Sequence, residues 1–235
     1  MNVFATPGEV FEEVKASRPC TANWLVPVLL ACLVGVIYTS VIFSQETVLR
    51  QVREAREKAV RKQLESKKVP KEQMEQAIAM AEKFSSPTLL KILGSAGAAA
   101  GSFGWLFFLA LMIWLLGRYV LKADFPYLKA AEVCGLAGMI GVVGGIISML
   151  LVVVTGNMFV TPGPALLLRE FDPANKTHLL LAMLNVMTIW YIGVLAIGLS
   201  RLSGASVSRS ALLLVVPWVS FRVALIFSGL GGQGM

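Results

Sequence analysis

Residues 24–43 read WLVPVLLACLVGVIYTSVIF, a stretch without a charge and about as long as the 20 or so apolar residues that one helix needs to cross a bilayer core. Its companions decide the fold. Further apolar runs occupy 92–116, 128–155, 179–199 and 211–230, each bounded by charge or by turn residues. Inside lipid only helices satisfy the backbone without closing a barrel, and none of these runs shows the alternation of a barrel strand. The expected fold is all-α: a polytopic integral membrane protein, a five-helix transmembrane bundle forming one membrane domain over 1–235.

Composition agrees. The chain has 235 residues, is 56% hydrophobic and has a mean hydropathy of +0.72; only 15% of it is charged, against roughly 25% in soluble domains. The formal charge of +7 could attract nucleic acid, but the basic residues lie between oily segments, where cations set membrane orientation. No nucleic-acid partner is expected. Cys20, Cys32 and Cys134 show no metal-binding or disulfide spacing, and no cleaved signal peptide is read at the start.

The second run lacks a strong break from Thr88 to Leu121, roughly 50 Å of helix at 1.5 Å per residue, which exceeds a core of about 30 Å. Ser86-Pro87 makes a helix start, and the span proper is expected to begin after Lys91, whose side chain can snorkel. Between the first two spans, 45–86 holds ten basic and seven acidic residues and no Gly. It reads as an extramembrane helical hairpin, with Val48, Val52 and Leu64 on one arm, Met74, Ile78 and Phe84 on the other, and a turn at Pro70. Two short helices bury too little to stand alone, so the hairpin should lean on the membrane domain, a second copy, or another membrane or peripheral protein. A short interfacial helix is expected at Ala165 to Phe171. Asn175-Lys176-Thr177 matches a glycosylation sequon of little weight.

Before the first span, residues 6–18 read as an amphipathic helix. Thr6-Pro7-Gly8-Glu9 has the form of a capping box, Pro19 ends the helix, and Val10, Phe11 and Val14 share a face opposite Glu9, Glu12 and Glu13. The helix could lie in the headgroup plane. Alternatively its contact face, Phe4, Val10, Phe11 and Val14, docks on the end of the bundle.

An ionisable group at depth is a functional hypothesis by default. Arg222 in the fifth span, Asn185 in the fourth, Ser148 in the third and Ser95 in the second fall near one level and could form an intramembrane polar layer. One reading is an ion or headgroup pathway; the favoured one is an Arg satisfied internally or snorkelling outward, since no Asp or Glu joins the layer. Gly97 with Gly101, and Gly141 with Gly145, have the GxxxG spacing that lets helices approach closely, expected here within one chain rather than between copies. With the single His178 at a loop edge and no HExxH, phosphate loop or paired carboxylates, no catalytic residue, metal ligand or cofactor is expected.

FATPGEVFEEVKASRP followed closely by Trp24 resembles the start of the Ypt-interacting-protein (Yip) domain family in its bacterial branch. The residues carrying the resemblance are Pro7, Phe11, Pro19 and Trp24, then Gly117-Arg118, Trp190 in NVMTIWYIGVLAIG, and Pro217-Trp218; the charged hairpin is similar to an insertion in bacterial members. The resemblance implies five spans, a cytoplasmic N-terminus and an exterior C-terminus. Eukaryotic relatives bind Rab-type GTPases and shape vesicle traffic, but the long cytoplasmic region they carry is not in this sequence. Counting cations alone would place the hairpin inside; the net-basic loops 117–129 and 201–209 support the family orientation instead. The expected role is a non-enzymatic membrane organiser or interaction scaffold in the bacterial inner membrane, in contact with membrane lipids, with the hairpin and N-terminal helix as contact surfaces. The alternative is a small-solute transporter or channel, which would need a solvated cavity reaching Arg222 and Asn185.

Overall fold

The computed structural model of the chain describes residues 2–66, 73, 75, 76, 80, 86–168, 171, 172 and 175–228, apart from the side chains at 55, 56, 59, 62, 63, 65 and 66. Its helices are α1 (Pro7–Ala16), α2 (Ala22–Ile42), α3 (Glu46–Ser66), α4 (Pro87–Leu115), α5 (Tyr127–Thr155), α6 (Lys176–Met183), α7 (Val186–Ser203) and α8 (Val207–Phe227). A π-helical turn, Leu116–Val120, prolongs α4, and a 3-10 turn, Pro164–Leu167, lies between α5 and α6. Five segments are long and apolar enough to cross a membrane: α2, α4 with its π turn, α5, α7 and α8.

Glycine contacts give the register of the bundle. Gly135 of α5 lies against the backbone of Trp24 in α2, and ten residues further along both helices a Cβ on Gly145 would meet Val34 at 3.2 Å. The two helices therefore run parallel. Gly35 of α2 faces Ala98, and Thr39 Oγ1 lies 2.9 Å from Ser95 Oγ, so α4 is antiparallel to α2. Gly144 faces Met187 while Val133 fills the space beside Gly198, which makes α7 antiparallel to α5. Gly97 and Gly101 are not among these contacts. A Cβ on either would meet nothing within 4 Å, so this GxxxG pair faces outward instead of packing within the chain. Gly141 also opens onto empty space, whereas Gly145 packs.

The run expected as the fourth span, 179–199, is not one helix, and its spanning part is α7. It breaks at Leu184-Asn185: the Asn185 side-chain oxygen accepts from the N–H groups of Met187 and Thr188 at 2.9 and 3.4 Å, capping α7. Asn at a helix start is favoured because its short side chain serves orphan donors. The loop 161–164 braces the break, with the Val186 N–H donating to the Pro162 carbonyl at 2.9 Å. Gly163 is required there, since a Cβ would come within 2.5 Å of the Leu184 carbonyl oxygen.

At the end of the bundle where α2 finishes, Val48, Leu49 and Val52 of α3 are buried with Ile42, Leu90 and Val152. Gln51 fastens the contact by donating to the Gly156 carbonyl at 2.7 Å and accepting from the Met158 N–H at 3.2 Å. The first arm of the hairpin thus leans on the membrane domain. Its turn at Pro70 and the residues Met74, Ile78 and Phe84 lie outside the described residues. Asn175, in the sequon, caps α6 by accepting from the Thr177 N–H at 2.9 Å.

Candidate functional site

At the other end of the bundle, α1 seats on α7 and α5. Phe11 and Val14 are fully buried, Val10 and Val3 nearly so. Phe11 lies beside Gly198 and the Phe4 ring is 5.9 Å from that of Trp190. Phe4, just before α1, and Phe11 within it thus meet α7 at Trp190 and Gly198, so the apolar face of α1 docks on the bundle. Phe4 keeps 38% of its surface exposed. Glu12 pairs with Arg201 at 3.2 Å, both exposed. The capping box does not form: Thr6 is the N-cap residue without a side-chain cap, and its hydroxyl donates to the Asn2 carbonyl at 3.4 Å.

The connection from α1 to α2 is held by a buried ion pair that sequence reasoning missed. Lys129 and Glu132, on the first turns of α5, have side chains only 5% and 1% exposed, and the ammonium stands 3.0 Å from one carboxylate oxygen. That oxygen has no aligned hydrogen bond. The other accepts from the Asn23 amide at 2.6 Å, and Lys129 Nζ donates to Ser17 Oγ at 3.4 Å. One pair of charges therefore grips both ends of the segment between α1 and α2. The available signal was Lys and Glu three apart at the edge of an apolar run, a spacing that places them on one helix face.

The residues read as a polar layer have separate employments. Ser95 bonds Thr39 at the α2–α4 contact, Asn185 caps α7, and Ser148 shares with Asn185 the lining of a cavity of about 180 Å3. Arg222, half-buried on α8, makes no hydrogen bond or ion pair with another described residue and does not line that cavity. A second cavity, of about 190 Å3, lies between α2, α4 and α5, with Pro27, Trp105, Cys134, Gly138 and Tyr191 in its walls. Among the described residues no group of three His, Cys, Asp or Glu side chains could hold a metal ion. His178 accepts from the Asp172 N–H through Nδ1 at 3.0 Å and rests near Phe171.

With this geometry in place, comparison with known families finds the Yip1 domain matching residues 1–228. The chain belongs to the Yip1 domain family. No curated protein and no solved structure matches it. Yip1-domain proteins are non-catalytic, and this one is an all-helical integral membrane protein whose outer helix surfaces meet lipid.

The residues that carried the resemblance lie mostly at the α1 end of this Yip1 domain. Pro7 opens α1, Phe11 fills the core, Pro19 is exposed in the link to α2, and the Trp24 ring meets Phe107 at 5.4 Å. Gly117, in the π turn, lies so close to the Phe125 ring that a Cβ would overlap it. Arg118 pairs with Asp124 at 3.2 Å and sits over Trp114 at 5.7 Å. Trp190 receives Phe4, while Pro217 is exposed within α8 beside a half-buried Trp218.

Proposed function

We propose that this protein is a non-enzymatic organiser of the bacterial inner membrane, of the Yip type, with its α1 end cytoplasmic and its α8 terminus and α3 outside, and that α3 is the arm by which it engages another membrane or peripheral protein. The observation that carries the reading is how α3 is rooted. One face of its first two turns, Val48, Leu49 and Val52, is buried and fastened by Gln51, while Arg53, Glu54, Glu57, Lys58 and Arg61 are exposed. A rooted helix offers a preorganised charged surface at low ordering cost. The apolar face of α1 is consumed internally, so only its acidic side, Glu9, Glu12 and Glu13, remains for partners.

The transporter alternative draws on the cavity at Asn185, yet the Asn185 oxygen is committed to α7 and Arg222 is not in the lining. Two measurements separate the readings. Proteins cross-linked to a photoreactive residue at position 57 in intact cells should be lost in the charge-reversed variant Arg53→Glu/Lys58→Glu, and proteoliposomes should show no solute flux beyond empty vesicles. Flux abolished by Arg222→Ala, with the cross-links unchanged by charge reversal, would reverse the conclusion.

A further inference from the structure

Parallel helices α2 and α5 touch at Gly135 against Trp24 and again at Gly145 against Val34, ten residues or about 15 Å apart along the axis. Between these two pins they part. A Cβ on Gly138 or Gly141 would meet no other atom within 4 Å, and Pro27, inside α2 at this level, deprives the Asn23 carbonyl of its usual donor and lets the helix bend away. The gap is the cavity of about 190 Å3, walled further by Trp105 of α4 and Tyr191 of α7. Gly141 and Tyr191 also line the cavity at Asn185, so the two adjoin.

Its lining is mainly Pro, Val, Ala, Leu and Gly carbon, and its Ser102 hydroxyl already donates to the Ala98 carbonyl at 2.7 Å, so water finds few partners there; apolar cavities of this size stay dry yet accept an apolar guest. A helix is about 10–12 Å across with its side chains and is too wide to enter. Depth names the guest. Counted from the first residue of α2, the gap begins within the first turn or two of the span and reaches about 13 Å inward, entirely within one leaflet. It is continuous with the lipid-facing surface: Trp105 at its edge is 58% exposed and Gly141 is exposed.

We propose that the cleft between α2, α4 and α5 is a binding site for one acyl chain of a phospholipid from the leaflet on the α1 side, inserted between the Trp24–Gly135 and Val34–Gly145 contacts. The chain fills the space that Gly138 and Gly141 leave and lies against Trp105 and Tyr191. The glycines are the determinants of the site, because any larger residue there occupies the volume itself.

The test uses the full chain in vesicles of a phosphatidylcholine bearing a diazirine midway along one acyl chain, with irradiation followed by mapping of the labelled residues. Tyr191, behind the gap, should be labelled. Gly138→Leu, and independently Ala31→Leu from the opposite wall, should reduce labelling of Tyr191 at least fivefold while labelling of Phe221 on the outer face of α8 is unchanged. Wild-type protein labelled at Phe221 but not at Tyr191 overturns the proposal, as does Tyr191 labelling that persists in both filled variants.

Discussion

Replacing Glu132 with Leu leaves the Lys129 ammonium buried, with Ser17 Oγ at 3.4 Å as its one hydrogen-bonding partner among the described residues. Removing one member of a buried ion pair costs about 3–5 kcal/mol, because the surviving charge is neither solvated nor compensated. Lys129→Met strands the carboxylate in the same way, with only the Asn23 amide left to it. The double variant Lys129→Met/Glu132→Leu removes both charges, and such replacements are often close to neutral. What it still loses is the acceptor for Asn23, about 1–3 kcal/mol for an orphaned donor. The two single costs would sum to about 6–10 kcal/mol, so the coupling energy should be at least 3 kcal/mol. The assay is equilibrium unfolding of the purified chain in mixed micelles by added denaturing detergent, followed by tryptophan fluorescence, for the four members of the cycle. A double variant whose loss equals the sum of the singles would show that the two charges do not stabilise one another, and the account of this site would fail.

Other consequences are open to measurement. Phe11→Ala empties a fully buried site between α1 and α7 and should cost about 3–5 kcal/mol, with a cysteine at Val14 becoming reactive towards a thiol reagent in the folded protein; an unreactive Val14 position would mean α1 is held by something else. Gln51→Ala removes both bonds to the loop after α5, a loss of about 1–3 kcal/mol. Proteolysis within α3 should then accelerate by at least fivefold while the five spans stay intact; an unchanged rate would show that Val48 and Val52 hold the arm by themselves. Asn185→Ala deletes the α7 cap and should destabilise by about 0.5–2 kcal/mol, whereas Asn185→Asp should recover most of that in the same detergent titration; equal losses in both would argue against capping. Gly163→Ala should be worse tolerated than Gly193→Ala, because the first would collide with the Leu184 carbonyl and the second meets open space; the yield of monodisperse protein on gel filtration decides it.

That there are five spans was legible because each is a long apolar run, although the fourth was expected at 179–199 and its helix is Val186–Ser203. Ser86 at the start of α4 and Pro7 in the first turn of α1 were equally plain. What could not be read was which surfaces meet. Gly97 and Gly101 have the spacing that permits close approach, but permission is not contact; α2 is approached closely at Gly35 and Gly135, which belong to no such pair, and of Gly141 and Gly145 only the second packs. Asn185 was read for its depth, and depth carries no information about local hydrogen bonds, so the break in the expected fourth span stayed hidden. Lys129 was hidden for the opposite reason. Counted among loop cations, it drew no attention to Glu132 three residues on, and burial of that pair depends on Ser17 and Asn23, more than a hundred residues earlier in the chain.

Glu12 and Arg201 meet across 189 positions of sequence, and Phe11 reaches Gly198 in the same contact. Synthesis runs from the N-terminus, and contacts far apart in sequence close late. Helix α1 therefore leaves the ribosome ahead of the five spans, yet its seat is incomplete until the penultimate span has been threaded, and for much of translation part of its oily side is without a home. Quality control in the cell has a natural checkpoint there: a chain whose head is still undocked has not finished being built.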